Sequence, residues 1–488
     1  MSAKKLDRSK LYEKISSMSN VHTLRLTEYT YRSGYLFDSY EFPPTMWSSM
    51  LESFVHTYHD RFSREWWDRK ALLTALFSDR DLAASFSNEI RRYTAIGKIA
   101  NTILERASSE ERCLVLAIGD VAYFWEHRAT WENILRDALS SIAPSALSWY
   151  DLTGQGSVDL RSAIRSYMSK NYSVDPAILP PTTSIIPSYW GTDSFATLLW
   201  ALKDIFSGHT LTLVAPEASF LSHLQIARTI LGETSVHMIP KKRQSDFFFG
   251  PETVRSYYEE KSDPERRNLW YITPVWNPTG SRLEWENMRL VIEEIFMRDP
   301  RAICIFDPVY LGLIDAENIR AFSEIVLNSV HRESFIFTES LSKTLGMTGI
   351  RIGWSWTYNA DFAESIRKYT TLMKAWHSRL HDAFTVKLLH HEGILAFQQS
   401  ISLTWSDLRK NFLVYMKHQY AHFFDFSMSP HFHERDGLYI LLKLQKGYTA
   451  QELFSETGII GVSLSLSDGD YVRYSFGCVS PEAFHSLS

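Results

Sequence analysis

From about residue 113 onward, short apolar runs rich in β-branched and aromatic residues alternate with stretches of helical period. The runs at 114–118, 210–214, 235–239, 269–273, 302–306 and 335–338 each read as a buried strand. Amphipathic stretches such as 131–139 and 194–206 fall between them. That alternation predicts an α/β layer built on a mainly parallel sheet. In such a sheet, ligands gather beyond the carboxyl ends of the strands. The residues that follow each strand are where chemistry is expected first.

The chain has 488 residues, enough for two or three domains. Residues 1–112 repeat apolar positions at three- and four-residue intervals and read as a helical N-terminal extension. Residues 129–365 hold the expected large domain. Residues 366–488 begin with a long helical region and end in alternating runs at 437–443 and 470–476; with 113–128 they form the expected smaller α+β domain. The formal net charge is -5 and no block of lysine and arginine stands out, which argues against nucleic acid or an acidic membrane surface as partner. Cys113, Cys304 and Cys478 are too sparse for a disulfide framework and too far apart for a metal site. The N-terminus mixes both charges, and no apolar run approaches the roughly 18 residues of a membrane helix. A soluble, cytoplasmic protein is expected.

Four element ends carry unusual side chains. The run at 269–273 is followed by PVWNPTG at 274–280, and Phe306 is followed by Asp307 and Tyr310. Thr338 is followed by ESLSK at 339–343, with Arg351 eight residues beyond Lys343. Gly191 and Thr192 precede a helix, at a terminus suited to an anion. Taken singly, each has an ordinary explanation: Asn277-Pro278 with Gly280 is a turn, Asp307 a cap, Lys343 a surface lysine, Arg473 a solvent-facing strand residue.

Taken together, they describe one ligand. A helix start with Gly191 and Thr192, the hydroxyls of Ser340 and Ser342, and Arg351 suit a phosphate. Asp307 suits a protonated ring nitrogen, held there by a charge-assisted hydrogen bond. Asn277 and Tyr310 can donate to a phenolate oxygen, and Lys343 can form a Schiff base with an aldehyde. Pyridoxal phosphate carries all four groups on one small frame.

In order and spacing these residues resemble the class I/II aminotransferases, a family of fold-type I pyridoxal-phosphate enzymes, over roughly the last three quarters of the chain. The resemblance implies a large mainly parallel-sheet domain, a smaller α+β C-terminal domain, and the cofactor roles just given. It also implies that Arg473, in VRYSF at 472–476, takes the substrate carboxylate. Tyr150, in YDLTG at 150–154, matches a tyrosine that reaches the phosphate of a neighbouring subunit, so a homodimer with shared active sites is implied. The implied activity moves an amino group between an α-amino acid and a 2-oxo acid through a Schiff base on Lys343. No metal is expected, because His377, His381, His390 and His391 lack cysteine or carboxylate partners at ligand spacing.

Two positions depart from the family pattern. Where relatives place a ring that stacks on the cofactor, two residues after Pro216, this chain has Ala218; Phe220 is the nearby candidate for that ring. Trp190 stands where many relatives carry a small hydroxyl or glycine, and a core indole is its plainer reading, a narrowed pocket the other. Other pyridoxal-phosphate reactions stay open: decarboxylation, elimination or replacement, or oxidative conversion, in a specialised or secondary metabolism. So does a cofactor-sensing transcription regulator, for which 1–112 would have to supply a winged helix but shows no helix-turn-helix spacing and no basic stripe.

Overall fold

The computed structural model describes residues 114–115, 125–143, 155–241, 247–261, 263, 265–346, 348–374, 378–433 and 436–477. The expected helical extension at 1–112 and the candidate residue Tyr150 lie outside them. In chain order the first strands are β1 (Leu114–Val115), β2 (Ile185–Ser188), β3 (Thr210–Pro216), β4 (Val236–Ile239), β5 (Arg266–Ile272), β6 (Ile303–Phe306), β7 (Phe335–Ser340) and β8 (Gly353–Thr357). They are followed by β9 (Phe424–Asp425), β10 (Tyr439–Leu444), β11 (Ile459–Ile460), β12 (Val462–Leu466) and β13 (Gly469–Ser475).

One sheet has seven strands in the order β2-β8-β7-β6-β5-β3-β4. β8 runs against both its neighbours, while β7, β6, β5, β3 and β4 pair in parallel. The sheet is therefore mainly parallel, and the carboxyl ends of β2, β3, β5, β6 and β7 open along one edge. The apolar runs are explained by burial on both faces. On β6, Cys304 and Phe306 join one core while Ile303 and Ile305 join the other; on β5, Trp270 and Ile272 alternate with Leu269 and Tyr271. Helices Gly191–Ile205, Leu221–Leu231 and Ala360–Lys374 supply the second core; Val158–Tyr172, Trp285–Arg298 and Ala316–Leu327 supply part of the first.

β2 and β8 are absent from the sequence-based reading. β8 interleaves Trp354 and Trp356 with Gly353 and Ser355, so it carries no continuous apolar run. It is nonetheless buried, with the Trp356 ring stacked on Phe337 of β7 at 3.6 Å between centroids.

β12, β13, β10 and β9 form a second, antiparallel sheet in that order, and β1 pairs in parallel with β11. The second sheet is fastened to the first through Arg409, which is 1% exposed, on the helix Ile394–Gln419. Its guanidinium donates to the carbonyls of Tyr439 (2.9 Å), Gly437 (3.4 Å) and Gly280 (2.8 Å). Gly280 itself lies in left-handed backbone, φ 64°, and a Cβ there would stand 1.9 Å from the Tyr439 carbonyl oxygen. Gly280→Ala combines left-handed strain with a backbone collision, so it is expected to cost about 3 kcal/mol. A lowered denaturation midpoint would show this; an unchanged midpoint would mean that the turn and β10 are not pressed together.

Candidate active site

The strand ends and the second sheet enclose a cavity of about 530 Å³. It is lined by eleven of the sequence candidates: Gly191, Thr192, Phe220, Asn277, Asp307, Tyr310, Ser340, Ser342, Lys343, Arg351 and, from β13, Arg473. The parallel sheet explains this convergence, since residues distant in the chain end on the same edge.

Asp307 follows β6 and is buried. Its Oδ2 accepts a hydrogen bond from the Tyr271 hydroxyl at 2.6 Å. Burial pushes the carboxyl up from the usual value to about 6, while the Tyr271 hydroxyl and the Val309 backbone amide oppose that rise. His223, from the helix Leu221–Leu231, sets its Nδ1 2.9 Å from the same hydroxyl and 3.5 Å from Asp307 Oδ2. Burial pushes His223 down to about 3, so the ring is neutral at ordinary pH and its approach to Asp307 is a polar contact, not an ion pair. The imidazole is stacked on Phe195 at 4.2 Å. Donation from Tyr271 to Asp307 leaves the phenol oxygen to accept from His223, which places the imidazole proton on Nδ1.

On the opposite side, Asn277 Nδ2 donates to the Tyr310 hydroxyl at 3.3 Å. Arg473 Nη1 donates to Asn277 Oδ1 at 2.9 Å, which fixes how that amide points. The Tyr310 hydroxyl also meets that of Tyr439 at 3.1 Å.

At the third corner, Ser340 accepts from the Ser342 backbone amide at 3.1 Å, and the two hydroxyls lie 2.8 Å apart. Arg351 has a positive φ of 64°, and its Nη1 donates to the Thr348 carbonyl at 2.6 Å. His381 is hydrogen-bonded to the Arg351 carbonyl at 3.0 Å. The fifteen-residue helix Gly191–Ile205 begins here, so its first backbone amides add positive potential.

Trp190 corrects the plainer expectation of a core indole. It is half-buried and lines the cavity, with the Arg351 guanidinium carbon 4.7 Å from its ring centre. The reason lies across the sheet at Gly353, where a Cβ would stand 2.7 Å from the Trp190 carbonyl carbon. The Trp190 backbone thus rests against β8, and the indole is left to the cavity side. Ala218 is buried instead in a small cluster with Phe247, Leu441 and Tyr471, whereas Phe220 lines the cavity, edge-on to His223 at 5.0 Å.

Tyr271, His223 and Tyr439 were not among the sequence candidates. Tyr271 sits inside a strand run, His223 within a helix, and Tyr439 on an alternating strand; each looks like ordinary core until the neighbouring strands are known. The weak signal was a phenol or imidazole in an otherwise apolar row.

The donor set fits pyridoxal phosphate. Three basic side chains, Lys343, Arg351 and Arg473, line the same cavity as the buried carboxylate of Asp307. A ligand with a phosphate, a carboxylate-bearing substrate and one cationic ring nitrogen complements that arrangement. Fold and site together define a pyridoxal-phosphate-binding protein of fold type I. The chain belongs to the aminotransferase class I and II family, whose sequence model matches residues 111–403, more than half of the chain.

Among curated proteins, the chain is similar to LL-diaminopimelate aminotransferase of Protochlamydia amoebophila, 31% identical over 101 residues, covering 20% of this chain and 23% of that protein. It is also similar to 1-aminocyclopropane-1-carboxylate synthase 1 of Prunus mume, 24% identical over 226 residues, covering 44% of this chain and 43% of that one. These matches therefore span less than half the length of the relatives. Among solved structures, an aspartate aminotransferase from Rhizobium meliloti shares the fold with a TM-score of 0.61 and 16% identity, over 81% of this chain and 95% of that one. Among the described residues, no helix is long and apolar enough to cross a membrane.

Proposed function

We propose that the protein is an aminotransferase that moves an amino group between an α-amino acid and a 2-oxo acid. The observation that carries this reading is the presence of Lys343, Asp307 and Arg473 in one cavity with the Arg351 and Gly191 corner. Pyridoxal phosphate supplies an electrophilic aldehyde carbon and a ring that accepts electrons from the substrate. Gly191, Thr192, Ser340, Ser342 and Arg351 hold its phosphate. Asp307 holds a proton on its ring nitrogen, and Asn277 with Tyr310 faces its ring oxygen. Phe220 lines the same cavity and would supply an aromatic contact for its ring. Lys343 would supply the amine that holds the cofactor at its aldehyde carbon and would be the general base that takes the proton from the substrate Cα. Arg473 pairs with the substrate carboxylate and so orients Cα toward that base. A homodimer, with Tyr150 of each subunit reaching the neighbouring phosphate, completes the proposal.

A second reading has one specific support: similarity to a protein named for synthesis of a cyclic amino acid. On that reading the same residues hold the cofactor, and a different bond of the substrate breaks. The test is to load the protein with pyridoxal phosphate and offer a panel of α-amino acids, one at a time. Aminotransfer releases one 2-oxo acid per site and leaves the amino group on the bound cofactor, from which a second 2-oxo acid can take it. Ammonia, CO₂ or a cyclic product without stored amino group would replace it with the second reading.

A further inference from the structure

The cavity has an aromatic wall, at Tyr439, that the roles above do not use. Tyr439, on β10 and 1% exposed, touches both ends of the site. Its hydroxyl lies 3.1 Å from that of Tyr310, the residue facing the ring oxygen. Its ring face lies under Arg473, with the guanidinium carbon 4.7 Å from the ring centre. The two tyrosine rings meet edge to face at 5.5 Å.

Tyr439 is also held unusually firmly by its own backbone. Its carbonyl accepts from Arg409 Nε at 2.9 Å, and Gly280 presses on that carbonyl so closely that a Cβ would not fit. On the strand, Tyr439 pairs with Ser475, and its neighbour Leu441 pairs with Arg473. The phenol is thus presented from a rigid strand that already carries the carboxylate-binding arginine across the ladder. These residues lie beyond residue 403, where the family match ends, so nothing in that match assigns Tyr439 a part.

We propose that Tyr439 is a positioning residue that joins the ring-oxygen pair to the substrate carboxylate site, acting through Tyr310 by its hydroxyl and through Arg473 by its ring. The inference rests on the aminotransferase reading of the site. The hydrogen-bond order supports it. Tyr310 oxygen accepts from Asn277, and either hydroxyl of the Tyr310–Tyr439 pair can donate to the other; when a bound ring oxygen takes the Tyr310 proton, Tyr439 is the donor that completes the pair. Asp307 from the end of β6 and Arg473 from β13 are the charged groups that act on the Tyr310 phenol, and Lys343 lines the same cavity. Burial raises the Tyr310 phenol well above its ordinary range, so it remains a proton donor rather than a phenolate. The Tyr439 ring lies against the Arg473 guanidinium, whose Nη1 donates to Asn277, so the ring limits where that guanidinium can lie.

The two arms separate by substitution in the cofactor-loaded full chain. Tyr439→Phe keeps the ring and removes the hydroxyl. A weaker donor to the ring oxygen lets that oxygen hold its neighbouring proton more tightly. The pH midpoint of the visible absorbance band should then rise by about half a unit, with the KM for the amino acid within about twofold. Tyr439→Leu removes both arms and should raise KM about tenfold with a smaller effect on kcat. In Tyr310→Phe protein, adding Tyr439→Phe should move the midpoint no further, because the hydroxyl acts through Tyr310. Midpoints equal to wild type in Tyr439→Phe, or equal KM values in the Phe and Leu variants, would overturn the proposal while leaving the aminotransferase reading intact. Failure of the wild type to develop a Lys343-dependent band would overturn both.

Discussion

Replacing Lys343 with alanine should reduce turnover by about 10⁴-fold or more while leaving pyridoxal phosphate bound. The size follows from what else lines the cavity. Among the described lining residues Lys343 is the one primary amine; the other two cations are Arg351 and Arg473. A guanidinium stays protonated and cannot take over as nucleophile or general base. Cofactor retention follows from the corner built by Gly191, Thr192, Ser340, Ser342 and Arg351, and from Asp307 at the far side, none of which the substitution touches. Borohydride reduction before mass analysis gives the direct reading. Wild-type protein should carry the cofactor covalently on the peptide containing Lys343, and the alanine variant should release it on denaturation. Covalent attachment at another lysine in the variant, or turnover within tenfold of wild type, would remove Lys343 from the mechanism.

Several of the residues proposed to carry this chemistry were legible in the sequence for a physical reason. Each sits just beyond a strand that is buried on both faces, so a polar side chain interrupts an apolar run and stands out. Asp307 after β6 and Lys343 after β7 are of this kind. Tyr271 and His223 were not legible, because their contacts depend on lateral strand order. β5 lies between β3 and β6 in the sheet, and that order lets Tyr271 reach Asp307 across a neighbouring strand while His223 approaches from the helix after β3. Local pattern carries no information on such adjacency. Trp190 failed differently. High aromatic content makes core the sensible expectation for any single indole, and only the closeness of Gly353 to its backbone shows why this one faces the cavity.

The same distinction limits what the site residues say about the reaction. Lys343, Asp307 and the phosphate corner come from the parallel sheet and from the segment matched to the family. Arg473 and Tyr439 come from the antiparallel sheet, beyond that segment. The first group is proposed to hold a cofactor able to support several reactions. On the proposed reading, which bond of the substrate lies along the electron-accepting direction of the ring depends on the second group, because Arg473 would fix the carboxylate. The proposed roles thus make the β10–β13 face of the cavity the place to separate aminotransfer from its rivals, and product analysis of variants there is more informative than further removal of the proposed phosphate contacts.

Asp307→Asn should lower turnover by about 10²–10³-fold and remove a pH dependence from cofactor binding. The amide keeps the shape of the carboxylate but cannot stabilise a cationic ring nitrogen by charge, so the ring accepts electrons less well. In the protein without cofactor, burial raises the Asp307 carboxyl to about 6. The sign follows from that direction. A raised carboxyl favours the folded state when neutral, so its contribution to folding is fully present below the ordinary carboxylate range and is lost as pH rises through about 6. Cofactor binding runs the other way, because the cationic ring nitrogen pairs with the ionised form. Below about 6 a proton must leave Asp307 before the pair can form, and affinity should fall by up to about tenfold per pH unit. The phosphate of the cofactor titrates in a similar range, so the decisive quantity is the difference between wild type and variant. Titrating both with pyridoxal phosphate from pH 4.5 to 7.5 should give curves that converge toward acid and separate above neutrality. Parallel curves would mean that Asp307 does not meet the ring nitrogen, and the cofactor would have to lie in the cavity in another orientation.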